Sequence, residues 1–313
     1  MRRRDLLGLT LAGGLLAGCG DGDGEATPSA TDTPTGAASG SPSGPPDPAT
    51  DDSFVPEGLS RDQLTVFRYG EHYRQVSDLW VPVGEHAGFL VVAVHGGGWD
   101  DTNDRRDLNV LVADLVGRGY PTLNVDYRGF GENGGWPGTF TDTGQAVDLA
   151  ADAAAKASVP ADRIAFVGHS AGGHLAMWAA ARHTLAADQP AANPRVTPAL
   201  AASLAGVLHP SVDYGENDLV EALFGGLPDQ QPDRFAYGDP SLRVPYGMPL
   251  FAGAGLADEV VPVSQTQFFA DAVTRAGDTI DVQLLDGATH DDAKAPDGPV
   301  VPLFRDWLEQ HFA

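Results

Sequence analysis

One stretch near the middle of the chain limits its fold more than any other. Ile164 to Val167 is a short apolar run, Gly168-His169-Ser170-Ala171-Gly172 follows it, and small residues then continue to Ala181. A strand running through Gly-x-Ser-x-Gly into a helix puts the serine on a tight, strained corner at the top of a sheet. Gly168 and Gly172 remove the Cβ atoms that would clash there. Ser170 is thereby offered as a nucleophile, with a helix N-terminus behind it that favours negative charge.

The flanking sequence requires a sheet that can carry such a corner. Residues 64–69 and 75–83 alternate enough to form an opening antiparallel pair of strands. Residues 89–94 form a continuous apolar run, as in a strand buried on both faces. Helical period marks 107–117, with Leu108, Leu111, Val112 and Leu115 on one face. Further strands are predicted at 122–127, 205–208, 249–255 and 280–285, and helices at 139–157, 263–275 and 301–312. Residues 213–247 are rich in Gly, Pro and Asp and are read as an irregular segment able to form a small cap. From residue 89 onward strands alternate with helices. That calls for a mostly parallel sheet covered on both faces and joined by right-handed crossovers.

The N-terminal residues do not belong to that body. Arg2-Arg3-Arg4 is a basic start, Leu6 to Gly18 a short apolar run, and Leu16-Ala17-Gly18-Cys19 follows. This resembles a bacterial lipoprotein signal, in which the cysteine is lipidated after cleavage. The run is too short to span a bilayer. Arg3-Arg4-Asp5-Leu6-Leu7 is also similar to a twin-arginine export signal. Residues 20–53 are almost all Gly, Ser, Thr, Pro, Ala and Asp, with almost no apolar bulk, the composition of a spacer that cannot repay ordering. The expected division is a signal at 1–18, a lipid-attachment cysteine and spacer at 19–53, and one body at 54–313. That places the protein outside the cell on a lipid anchor, or secreted.

Charge narrows the partners. The chain carries 43 acidic against 19 basic residues, a net charge of −24. So acidic a surface repels nucleic acid and anionic lipid. Cys19 is the only cysteine, so no internal disulfide can form.

A serine nucleophile needs a base, an acid to orient that base, and donors for the developing oxyanion. Asp286-Gly287-Ala288-Thr289-His290 places His290 in the loop after the last strand, a better base than His311 at the chain's end. Gly255-Leu256-Ala257-Asp258-Glu259 follows the preceding strand and supplies Asp258, with Glu259 a close competitor and Asp286 a distant one. Asp291 and Asp292 are read as facing solvent. The Ala171 amide is one candidate oxyanion donor. The others are Gly97 and Gly98 of His95-Gly96-Gly97-Gly98-Trp99, where glycine lets the backbone approach closely. Trp99, Tyr127, His169 and His209 are candidate substrate-binding residues, with Trp136 and Phe224 as further pocket-lining candidates. His174 is read as packing or lining the pocket.

Together these motifs resemble the α/β-hydrolase fold, in its His-Gly-Gly-Gly carboxylesterase group. The carrying residues are His95-Gly96-Gly97-Gly98-Trp99, Gly168-His169-Ser170-Ala171-Gly172-Gly173-His174, Asp258-Glu259-Val260-Val261-Pro262 and Gly287-Ala288-Thr289-His290. His169 departs from the hormone-sensitive-lipase-like branch, which usually has Asp or Glu there. The elbow is more similar to the branch of feruloyl and acetylxylan esterases and kynurenine-formamidase-like enzymes. Phe224-Gly225-Gly226 followed by Pro240-Ser241 resembles the short cap of that branch. The resemblance implies an eight-stranded, mostly parallel sheet and a serine esterase acting on a small-molecule or polysaccharide-linked ester, with no metal or cofactor. The alternatives on the same fold are an amidase, formamidase or exopeptidase, a lipase, and a non-catalytic wall-associated binding protein.

Overall fold

Continuous apolar runs alternating with amphipathic segments produce the expected sheet. The computed structural model describes residues 50–131, 133–212 and 218–313. The signal, Cys19 and the spacer as far as residue 49 lie outside them. In chain order the elements are β1 (Leu64–Arg68), β2 (Val76–Trp80), β3 (Leu90–Val94), α1 (Asn109–Gly117), β4 (Thr122–Val125), α2 (Gly135–Asp148), α3 (Ala150–Lys156), β5 (Ile164–His169) and α4 (Ala171–Ala180). There follow β6 (Leu200–Leu204), α5 (Asp218–Phe224), α6 (Pro232–Gly238), β7 (Leu250–Gly255), α7 (Ser264–Ala276), β8 (Ile280–Leu285) and α8 (Val300–Phe312).

All eight strands join one sheet in the order β1-β2-β4-β3-β5-β6-β7-β8. The β1–β2 and β2–β4 pairs are antiparallel, and every later pair is parallel. β5 sits near the middle, between β3 and β6. Alternate residues of each strand feed two separate cores, because successive side chains point to opposite faces. Leu90, Val92, Val94, Val125 and Phe166 pack with α2, α4 and α7 through Phe140, Leu175, Trp178 and Phe269. Val91, Ala93, Ala165 and Val167 pack on the other face with α1 and α8 through Leu111, Leu115, Phe304 and Leu308.

Three local readings change. The sixth strand is Leu200–Leu204, not 205–208. Its Ala-rich sequence has weak strand propensity, and pairing between β5 and β7 selects it. Ala205 then turns to φ 50 and ends the strand. The long helix expected at 139–157 is two, α2 and α3, divided at Leu149, where the turn tightens to a Leu149 N–H bond onto the Ala146 carbonyl. The cap segment is less irregular than its composition suggests: α5 and α6 lie in it, and Pro232 opens α6 at a position where no amide is needed. A short 3₁₀ turn at Asp52–Phe54 buries Phe54 beneath the guanidinium groups of Arg105 and Arg106.

Candidate active site

The serine corner is built as the glycines require. Ser170 has φ 57 and ψ −125, outside the regions a non-glycine residue favours. A Cβ on Gly168 would collide with the Gly172 carbonyl, and one on Gly172 would collide with the carbonyls of Val94 and His95. The turn is therefore pressed directly onto the end of β3. The Ser170 amide donates to the Leu204 carbonyl at 2.9 Å, which ties the corner to β6 as well. Ser170 is 8% exposed, and α4 behind it is buried along its whole length.

Ser170 opens into a cavity of about 300 Å³ that also receives Gly97, Gly98, Trp99, Ala171 and His290. His290 Nδ1 donates to Asp258 Oδ2 at 2.8 Å. The other oxygen, Oδ1, accepts from the amides of Val260 and Val261 at 2.8 Å each. Burial opposes ionisation of Asp258, but the His290 bond and the two amides outweigh it and hold the carboxyl below its usual range. The carboxylate therefore stays an anion facing the His290 ring. Glu259 is exposed and Asp286 makes no such contact among the described residues, so Asp258 is the carboxylate brought to His290. No hydrogen bond joins Ser170 to His290 among the described residues. In free enzymes this bond is often long and closes only when substrate seats.

The glycine loop faces the same space. Gly97 and Gly98 take φ of 95° and 63°. No hydrogen bond claims the amides of Gly97, Gly98 or Ala171 among the described residues. A Cβ on Gly98 would lie 2.6 Å from Leu219 Cδ1, so α5 leans on this loop. Below the loop is an ionic network that the sequence reading missed. Asp126 accepts from Arg74 at 2.8 Å and from Arg105 at 2.9 Å, and Arg105 reaches Asp78 at 2.6 Å. The His95 ring sits between the Gly96 carbonyl, 2.8 Å from Nδ1, and Asp126, 3.2 Å from Nε2. Burial would raise the Asp126 carboxyl, but His95, Arg74 and Arg105 hold it at about 2. Asp78, with one arginine partner, is pushed by burial up to about 6.

Among the candidate substrate-binding residues, Trp99 and His169 reach the cavity wall. Trp99 is nearly buried there, its Nε1 donating to His174 Nδ1 at 3.2 Å, while His174 Nε2 donates to the Gly238 carbonyl at 2.8 Å. His174 is thus a packing residue that links α4 to α6. Tyr127 does not line the cavity. It is fully buried behind the glycine loop, its hydroxyl donating to the His95 carbonyl at 2.9 Å. His209 does not line it either: its Nδ1 is held by the buried Asp239, which also accepts from Ser211 and Ser241 and so fastens the cap segment. Phe224 is buried against Phe235, and Trp136 borders a different surface hollow beside Tyr237. Aromatic and imidazole side chains next to a motif served the core here, where burying their large surfaces gains most.

Three charged residues of the cavity wall were not foreseen there. Lys294 Nζ is 2.7 Å from Asp107 Oδ1 and 3.3 Å from Asp291 Oδ1, and all three residues border the cavity. Burial opposes ionisation of Asp107, but the Lys294 hydrogen bond and charge lower its pKa. The wall beside His290 is therefore charged. The opposite wall, of Gly98, Trp99, Val207 and Leu219, is apolar. One signal was available: the chain has only two lysines, and one stands four residues after the base. Asp291 rims the cavity although its side chain is 82% exposed. Among the described residues no cluster of His, Cys, Asp or Glu could hold a metal ion, and no helix is long and apolar enough to cross a membrane.

Comparison with known proteins agrees with this architecture. The model of the BD-FAE family matches residues 78–273, which include Ser170 and Asp258 and stop short of His290. Among curated proteins none matches the chain. The bifunctional GH43-CE protein of Bacteroides eggerthii is similar with a TM-score of 0.69 and 20% identity, over 82% of this chain. Only 36% of that longer protein is covered. Esterase B of Lactobacillus rhamnosis gives a TM-score of 0.68 at 20% identity, over 82% of this chain and 86% of that one. A butyrate-bound thermophilic esterase from the Planctomycetes species Thermogutta terrifontis gives 0.62 at 22% identity, over 79% and 94%. At these identities the structural likeness is one of fold.

Proposed function

The chain belongs to the BD-FAE family of α/β-hydrolase esterases, and from that membership we propose that it hydrolyses short-chain carboxylic esters through Ser170, His290 and Asp258. The observation that carries the reading is the shared cavity. A strained serine, an imidazole anchored to a buried carboxylate and three unclaimed amides meet in about 300 Å³.

In the proposed reaction Ser170 Oγ attacks the ester carbonyl while His290 Nε2 takes its proton. The amides of Gly97, Gly98 and Ala171 receive the oxyanion. His290 returns the proton to the departing alcohol, leaving Ser170 acylated. Water then attacks the acyl carbon with His290 again as base, and the carboxylic acid leaves as Ser170 regains its proton. The apolar wall of Trp99, Val207 and Leu219 suits a small acyl group, and the charged wall of Asp107, Asp291 and Lys294 suits a polar alcohol, including a sugar hydroxyl. Ser170→Ala is expected to abolish hydrolysis of p-nitrophenyl acetate and labelling by a fluorophosphonate while leaving the folded circular dichroism spectrum intact. Retained turnover would remove the nucleophile assignment.

The proposed location rests on Arg2 to Arg4, the apolar run to Gly18 and Cys19. The protein would act outside the cell, held to the membrane through lipid on Cys19. Cys19→Ser should release it from membranes, and continued membrane retention would overturn the anchor.

A further inference from the structure

We propose that His169, the residue before the nucleophile, is a positioning residue that braces the backbone of the base loop against the serine corner. The inference rests on the ester-hydrolysis reading of the same site and adds a role for a side chain that touches neither reacting atom.

His169 Nε2 lies 3.0 Å from the backbone carbonyl of His290. A carbonyl only accepts, so Nε2 carries the hydrogen and Nδ1 the lone pair. The two imidazoles are 4.6 Å apart between centroids, tilted by 50°. On its other side the ring abuts the glycine loop, since a Cβ on Gly96 would lie 3.2 Å from His169 Nδ1. The side chain therefore stands between the oxyanion loop and the base loop, and it is buried.

Other ties of the base loop run elsewhere, although the His290 carbonyl also accepts from the Ala293 amide at 3.3 Å within the loop. Leu256 donates to Leu285 at 2.9 Å, Ala257 donates to Ala288 at 3.0 Å, and His290 itself donates to Asp258. These hold the loop to the end of β7. Among the described residues, the His169 bond is the hydrogen bond that ties it to β5, the strand that carries Ser170. The separation of nucleophile and base is the distance that catalysis depends on, and an error near 1 Å costs on the order of a hundredfold in rate.

The neighbouring His290 also favours an uncharged donor at this position. His290 becomes a cation each time it takes the serine proton. His169 faces His290, Lys294 and Asp107. A second imidazolium at 4.6 Å would oppose the first. Burial, then the charges of His290 and Lys294, lower His169 to about 4, so it stays neutral when the base works.

Two polar variants test the role. In His169→Gln the amide nitrogen can reach the place of Nε2 and still donate to His290, whereas in His169→Asn it falls short. Purified protein is assayed for kcat and KM on p-nitrophenyl acetate across pH. The His290 Nδ1–H resonance far downfield in the proton NMR spectrum is followed in parallel. Asn is expected to lower kcat by about thirtyfold with KM changed less than threefold, and to broaden or erase the resonance. Gln is expected to keep kcat within about fivefold of the parent and to preserve the resonance. Equal kcat and equal spectra for Gln and Asn would overturn the proposal, whether both are active or both impaired. A parent protein with no ester turnover would sink the hydrolysis reading instead, and the NMR comparison would still decide the positioning role.

Discussion

Tyr127 and His95 lie face to face beneath the glycine loop, ring centroids 4.2 Å apart and planes 6° from parallel. The Tyr127 hydroxyl donates to the carbonyl of the same His95. One aromatic residue thus supports both the side chain and the backbone at the start of the glycine loop.

Tyr127→Phe keeps the stack and removes the hydrogen bond, leaving a buried carbonyl unpaired. A stability loss of about 1–3 kcal/mol is expected in urea unfolding. A several-fold drop in kcat should accompany it, with KM nearly constant, because a displaced loop affects the oxyanion more than the bound ester. Unchanged kcat would show that the loop holds its shape without this contact.

Asp258→Asn should lower kcat by 10²–10⁴, the range expected when the base loses its tautomer control. Glu259→Gln, an exposed neighbour, should leave it within about twofold. Steady-state kinetics on an aryl ester distinguish the two, and a reversed ranking would move the acid to Glu259.

Gly98→Ala combines two penalties. The position has φ 63, and the new methyl would sit 2.6 Å from Leu219 Cδ1. Loss of one aimed amide corresponds to about 3 kcal/mol of barrier, a hundredfold or more in kcat. Adding Leu219→Ala should relieve the crowding and recover thermal stability without recovering kcat. Full recovery of turnover in the double variant would argue against the Gly98 amide as a donor.

Stability should fall on mild acidification. Burial lowers His169 and His174 to about 4 in the fold, while an unfolded histidine titrates near 6.5. Between these values the unfolded chain binds protons that the folded chain refuses. Their contribution is complete above about pH 6.5 and is lost as pH falls towards 4. Urea midpoints measured from pH 7 to 4 should trace that decline. His174→Gln should be less stable at pH 7 yet show a shallower decline, by roughly one proton. A parallel decline in the variant would assign the protons to other groups.

What was legible in the sequence follows the physics of each feature. The buried strands at 90–94 and 164–169 were readable because apolar runs between turn signals are local. The positions offered for Ser170, Asp258 and His290 each follow a strand, and the topology gathers those strand ends. Leu200–Leu204 was missed because its identity comes from its neighbours in the sheet and not from its alanines. The network of Arg74, Asp78, Arg105 and Asp126 was missed because charges scattered through a chain look like ordinary surface. Burial of that network appears only when β2, β4 and the turn at Arg105–Leu108 come together. Lys294 and Asp107 lie far apart in sequence and meet only in the folded cavity.

The backbone of Ser170 has one more consequence. A non-glycine residue held at φ 57 and ψ −125 costs on the order of 1–3 kcal/mol, and only close packing keeps it there. Warming loosens packing before it melts a sheet. The corner should relax first, so turnover should fail at a temperature below the calorimetric transition. The gap between the two temperatures would measure how tightly β3, β5 and β6 grip the turn.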